Sequence, residues 1–202
     1  MFITIEGGEG AGKTTLQNRL YDHLIASGKQ VVKTREPGGT PLGQEIRRLI
    51  LHGQEFEIKS RTELFLFLAD RAQHVEGVIK PALEQGKIVL CDRFTDSTLA
   101  YQGLARGHST DRLEELCHFA AGGLVPDLTF FIDLDPPEGL RRVIENRGDT
   151  FDRIENEALN FHVKVREAFL ALSERDPHRF TVLNGNKSAD EVFHAAVAAL
   201  TR

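Results

Sequence analysis

Residues 7–14 read Gly7-Gly8-Glu9-Gly10-Ala11-Gly12-Lys13-Thr14, a G-x-x-x-x-G-K-T pattern whose chemistry is the holding of phosphate. The glycines let backbone N–H groups turn inward around a polyphosphate, and a helix starting there adds its positive end. Lys13 is spaced to reach β- and γ-phosphates, and the hydroxyl of Thr14 to ligate Mg²⁺. Thr15 completes the cradle. Such a loop works only between a strand and a helix. Phe2-Ile3-Thr4-Ile5 before it reads as a buried strand. Leu16, Leu20 and Leu24 after it recur at helical period until Gly28 stops the helix.

Four further groups carry chemistry. Asp92-Arg93 follows the apolar run 87–91, at the strand end where open parallel sheets bind ligands. Asp92 there could hold Mg²⁺ directly or through water, and Arg93 could bridge phosphates. The competing reading is a surface ion pair. Phe67 and Arg71 lie four apart, on one helix face. The ring offers a shelf for a flat base, and the guanidinium could donate to a carbonyl on the base edge. The competing reading is a core Phe beside an exposed Arg paired with Asp70 or Glu63.

Ser97, Thr98, Tyr101 and Gln102 offer a hydroxyl or amide at each helical turn. Gln102 suits a base's amide and imide edge, and Tyr101 a sugar lacking a 2′-hydroxyl; otherwise they form a polar helix face. Arg141, Arg142, Arg147 and Arg153 surround a polar break. That suggests a mobile flap near 141–153 that closes on phosphates, or else a solvated helix end. Asn186-Lys187-Ser188-Ala189-Asp190 misses the base-reading N-K-x-D pattern of GTPases by one residue, and no D-x-x-G occurs, so Ser188 reads as a helix cap. The eight histidines form no H-x-x-x-H pair.

The elements that must position these groups alternate. Strands are predicted at 2–5, 30–34, 87–91, 128–134 and 179–183, with helices between and after them. Helices are predicted at 42–51, 95–101, 110–121, 138–144, 157–173 and 189–200. Ser60-Arg61-Thr62-Glu63 fits a capping box that opens a long helix, bent or ended by Pro81. Residues 64–69 are apolar on every side, so core and a ligand or second subunit must cover them. The pattern predicts one α/β domain over 1–202, a five-stranded parallel sheet flanked by helices on both faces.

The bulk numbers narrow the functions. A 41% hydrophobic fraction and 27% charge are ordinary for a soluble globular chain. No apolar run approaches the roughly twenty residues that cross a bilayer. The chain starts directly on a core strand, so no signal peptide is expected. Cys91 and Cys117 show no metal or disulfide spacing and suit buried thiols in a cytoplasm. A net charge of −5 argues against a nucleic-acid surface, so anionic ligands must be met by gathered arginines.

Several motifs together resemble the bacterial-type thymidylate kinase family: Glu6 to Thr15 (EGGEGAGKTT), Thr34 to Thr40 (TREPGGT), Phe67 to Arg71 (FLADR), Asp92-Arg93-Phe94 and Ser97 to Gly103 (STLAYQG). Pro126-Asp127-Leu128-Thr129 and Asp152-Arg153-Ile154-Glu155 add to them, in family order. The resemblance implies a P-loop NTPase fold of nucleoside monophosphate kinase type, and phosphorylation of dTMP by ATP with Mg²⁺. It implies that Phe67 stacks on thymine and that Arg71 and Gln102 bond its edge. Ser97, Thr98 and Tyr101 would line the base and deoxyribose pocket, with Glu36 beside it. Arg47 and Arg93 would hold the acceptor phosphate, and Glu9 would approach the 3′-hydroxyl. With no arginine after Gly10, the family pattern assigns the catalytic cation to the flap, leaving open which of Arg142, Arg147 and Arg153 reaches the phosphates. It further implies a homodimer through the helix around 64–69. A kinase for a deoxynucleoside or dUMP, a nucleotide-dependent switch and a nucleic-acid-binding ATPase are the alternatives.

Overall fold

The computed structural model describes residues 1–52, 57–147 and 152–200, apart from the side chains of His52, Asn146 and Arg147. The phosphate-loop strand β1 (Phe2–Gly7) is buried along its whole length. It lies at the centre of a five-stranded parallel sheet, in the order β2-β3-β1-β4-β5. The neighbouring strands β3 (Ile88–Asp92) and β4 (Leu128–Asp133) are continuous apolar runs, as burial on both faces requires. The edge strands β2 (Val31–Arg35) and β5 (Phe180–Asn184) are only partly covered.

Helices α1 (Lys13–Ala26) and α9 (Ala189–Leu200) close one face, where Leu16, Leu20 and Ala196 pack on Ile3, Ile5 and Phe130. Between β2 and β3 run α2 (Pro41–His52), α3 (Ser60–His74), a π-helical stretch (Val75–Ile79) and α4 (Lys80–Glu84). After β3 come α5 (Thr95–Thr98), a second π-helical stretch (Leu99–Ala105) and α6 (Thr110–Ala120). After β4 come α7 (Pro136–Arg147) and α8 (Leu159–Arg175). The face opposite α1 is packed by Phe131 against Phe169 of α8, and by Val75 and Ile79 around Phe2 and Phe94.

The register brings the chemistry together. Ile5 of β1 and Arg35 of β2 both pair with Asp92 of β3, and Gly7 pairs with Ile132 of β4. The phosphate loop, Asp92-Arg93 and the end of β2 therefore share one lip of the sheet.

Of three expectations about helix boundaries, two resolve differently and one holds. Ser60 does not cap α3: the cap position is Lys59, without a side-chain bond, and Ser60 Oγ pairs with His108 Nε2 at 2.8 Å. Glu63 is fully buried, taken by Gln102, Arg106 and Arg153 rather than by a backbone N–H. Charged donors from distant elements outcompete a local cap there. Pro81 neither ends nor breaks the helical path. It stands in the first turn of α4, and the path changes from α to π just before it. Ser188 does cap α9. Its Oγ accepts from the Glu191 N–H at 3.3 Å, and Glu191 Oε2 accepts from the Ser188 N–H at 3.0 Å.

Within 64–69, Leu64 and Leu68 enter the core, Phe67 is half-buried, and Phe65 is 54% exposed.

Candidate active site

The loop after β1 needs glycine for two reasons. Gly10 (φ 67°) and Gly12 (φ 93°) take left-handed backbone conformations. A Cβ on Gly10 would also stand 2.1 Å from the carbonyl oxygen of Gly139 in α7. Helix α1 then starts with no side-chain cap and no acidic residue in its first turn. Its first N–H groups are thus left for an anion. Lys13 is buried, and its Nζ donates to Gly8 O at 2.7 Å and Gly7 O at 3.1 Å. Burial and the nearby Arg93 pull its pKa down, so a phosphate arriving there would restore the cation's preference for its charge.

The loop opens on a cavity of about 390 Å³, the size of small-ligand sites. Glu9, Gly10, Ala11, Gly12, Lys13, Thr14 and Thr15 line one end. Phe67, Arg71, Thr98, Tyr101 and Gln102 line the same cavity, as do Glu36, Arg47, Asp92, Arg93, Ser97 and Arg142. The cradle and the aromatic shelf are therefore parts of one space.

Between them stands Arg93, at φ 70°, a conformation that a non-glycine residue keeps only when its surroundings enforce it. The enforcement comes from Glu6, fully buried on β1. Its Oε1 accepts the Phe94 N–H at 2.8 Å and its Oε2 the Ser97 hydroxyl at 2.6 Å. Burial, and then the neighbouring Asp96, push the Glu6 carboxyl up to about 8 against those bonds and Arg93. The Arg93 guanidinium bonds Glu9 Oε1 at 2.7 Å and Ser97 Oγ at 3.2 Å, and lies 4.8 Å from the Tyr101 ring centroid. Tyr101 also donates to Glu9 Oε1 at 2.7 Å. Burial would raise the Glu9 pKa, but Arg93, Lys13 and the Tyr101 hydroxyl together hold it down at about 2.

Arg71 resolves its two readings. It is neither exposed nor paired with Asp70 or Glu63. It is 2% exposed, with Nε on Glu36 Oε2 at 2.8 Å and Nη1 on Thr98 Oγ1 at 2.9 Å. His74 Nδ1 holds the other Glu36 oxygen at 2.9 Å, and its Nε2 meets Thr34 Oγ1 at 2.6 Å. This network aims the guanidinium at the cavity from a fixed base.

Thr14 and Asp92 fit a divalent cation. Thr14 Oγ1 lies 3.5 Å from Asp92 Oδ2 at the mouth of the loop. Asp92 Oδ1 is buried without a hydrogen-bond partner among the described residues. A carboxylate with an unpartnered buried oxygen, on a residue lining the same cavity as the phosphate cradle, is the donor type hydrated Mg²⁺ takes.

Several expected residues lie elsewhere. Gly7 and Gly8 do not line the cavity; their carbonyls hold Lys13 from behind. Arg153 does not line it either. It pairs with Glu63 and donates to Ile50 O at 2.8 Å. The buried Glu63 carboxylate is a stronger partner than solvent, which is why a flap arginine turns away. Arg141 is committed to Glu138 and Glu145 on its own helix. Arg142 does line the cavity, with its Nη1 on Gly185 O at 3.0 Å. The Arg147 side chain and residues 148–151 of the expected flap lie outside the described residues. The lining also includes Arg35, Asp152 and Glu155, which the motif reading did not assign to the site. Arg35 ends β2 at the ligand-bearing edge, and it stands in the Thr34 to Thr40 motif, the two signals the sequence held for it.

The thymidylate kinase family model matches residues 5–196. The thymidylate kinase of Protochlamydia amoebophila is 47% identical, covering 98% of this chain and 91% of that protein. That of Desulfovibrio desulfuricans is 51% identical, covering 95% and 91%. The crystal structure of thymidylate kinase from Ehrlichia chaffeensis superposes with a TM-score of 0.82 at 35% identity, covering 100% of this chain and 98% of that one. A cradle for polyphosphate and an aromatic shelf in one cavity, on a five-stranded parallel sheet with full-length relatives of this kind, mean that the chain belongs to the thymidylate kinase family.

Proposed function

We propose that ATP with Mg²⁺ is the phosphoryl donor in the conversion of dTMP to dTDP, the reaction of the family to which this chain belongs. The observation that carries the reading is the single cavity joining Lys13 to Phe67 and Arg71. ATP phosphates enter the glycine loop, and thymine lies on Phe67 with its edge toward Arg71 and Gln102. The acceptor is a phosphate oxygen that is already anionic, so no strong base is required. Catalysis rests on alignment and charge neutralisation.

The cations for this are Lys13, Arg93, Arg47 and Arg142. Arg47 supports the role by lining the cavity while its Nη1 is steadied by Pro37 O at 3.1 Å. Glu9 stays ionised at neutral pH, which supports its accepting a bond from the sugar 3′-hydroxyl. Thr14 and Asp92 would hold Mg²⁺, which when bound supplies charge neutralisation between the donor's phosphates. Phe65, half exposed on α3, supports a homodimer through that helix, and the free, buried Cys91 and Cys117 support residence in a cytoplasm.

A coupled ADP-release assay across the nucleoside monophosphates tests the reading. We expect dTMP to lead and dUMP to trail it by about 1 kcal/mol or slightly more for the missing methyl. Lys13→Ala should abolish transfer while the fold survives. ADP release independent of any monophosphate would overturn the proposal.

A further inference from the structure

Gln102 reaches the cavity with an amide whose two ends offer opposite chemistry, and a carboxylate outside the cavity decides which end faces in. Gln102 is 2% exposed, and its Nε2 donates to Glu63 Oε1 at 3.0 Å. Glu63 is fully buried and takes a bond from Arg106 on each of its oxygens, with Arg153 also on Oε2. Burial pushes its pKa up, but Gln102, Arg153 and Arg106 outweigh this and hold it below the ordinary value. An ionised carboxylate accepts only. A flipped Gln102 would set its carbonyl against that charge and leave its NH₂ without this partner. The amide is therefore locked with Oε1 as the atom it offers to the cavity.

We propose that Glu63 is a positioning residue that sets base selectivity by holding Gln102 as a hydrogen-bond acceptor. This rests on the reading of the cavity as the dTMP site. Thymine carries a donor at N3, and cytosine an acceptor. Oε1 therefore attracts the one and repels the other, and specificity comes as much from the clash as from the bond. Arg153, missing from the cavity lining, gains a role here. With Arg106 it keeps the Glu63 charge in place, so the segment after residue 151 reports to the base end of the site.

The test compares dTMP with 5-methyl-dCMP, which keeps the methyl and the sugar phosphate but carries the opposite pattern at N3. In Glu63→Gln the amide is free to turn, and the ratio of kcat/KM for the two nucleotides should fall about tenfold, roughly one buried hydrogen bond. The KM for ATP should stay within about twofold. Gln102→Met removes the reader while Arg106 and Arg153 still hold Glu63, so it should lower the same ratio even if Glu63→Gln folds poorly. The double variant should lose no more than either alone. An unchanged ratio in Glu63→Gln, or in Gln102→Met, overturns the proposal. Loss of activity on both nucleotides in proportion also overturns it, because that is what a purely structural role gives. A wild-type protein that does not prefer dTMP to 5-methyl-dCMP would instead strike at the dTMP reading itself.

Discussion

Arg93 and Glu9 meet at 2.7 Å inside the cavity, tying the end of β3 to the phosphate loop across the space where two anionic substrates would approach. The guanidinium also bonds Ser97 and covers the Tyr101 ring. Only a planar fork makes those contacts together. Arg93→Lys should therefore lower kcat by about 10² or more, while ATP affinity changes by less than about tenfold. Steady-state kinetics with nucleotide titration checks this, and a near-normal kcat would remove Arg93 from the mechanism.

Glu36 holds the Arg71 guanidinium on one oxygen and meets the His74 ring on the other, with all three side chains buried. Glu36→Gln leaves the buried Arg71 charge without its counter-ion. We expect a loss of about 3 kcal/mol in urea unfolding, together with a higher KM for dTMP. Unchanged stability would mean that the network is not the support described above.

Asp70 accepts the Gly38 N–H at 3.0 Å through Oδ1, while its Oδ2 is buried without a partner among the described residues. Burial, and then the Glu36 charge, raise its pKa to about 6. The folded form thus holds this proton more tightly than the unfolded chain. The stabilisation is complete below the unfolded value near 4 and is lost as pH rises through about 6. Asp70→Asn does not titrate. Relative to the parent protein its stability should improve by about 2–3 kcal/mol between acid and mildly alkaline pH. Denaturant melts at several pH values measure the difference; a difference flat with pH would contradict the assignment.

Gly10→Ala pits a methyl group against the Gly139 carbonyl and against a positive φ. Both obstacles are backbone, so the loop must shift. ATP affinity should fall about tenfold, and stability by about 1–3 kcal/mol. Calorimetry and thermal melts of the same sample separate the two effects.

The parts of this site legible in the sequence were those whose partners are local. Lys13 and Thr14 stand in a continuous pattern, and Asp92 and Arg93 end an apolar strand, so strand-end geometry was enough to assign them to one lip. Arg71 was legible as a neighbour of Phe67 on one helix face, and both line the cavity, but its bonding was not legible. Its partner Glu36 comes from another element, and their meeting depends on α3 lying over the end of β2, where His74 also reaches Thr34 and Glu36. Glu63 illustrates the opposite error. Its spacing from Ser60 is a good local cap, yet Gln102, Arg106 and Arg153 draw it into the interior. Helical stretches were found, but not the change from α to π at 75–79 and 99–105, for which the sequence period is too similar to distinguish. Arg153 was read by its charge and its position in a polar break, and only the fold supplies the buried carboxylate that claims it.

The central claim is that the phosphate cradle and the base shelf are two ends of one reaction space. A thymidine joined 5′ to 5′ to an adenosine through a bridge of phosphates tests it directly by isothermal titration. The account predicts binding of one molecule per chain that displaces both ATP and dTMP, weakened by Lys13→Ala at one end and by Phe67→Ala at the other. Displacement of only one nucleotide, or binding of two molecules per chain, would contradict it.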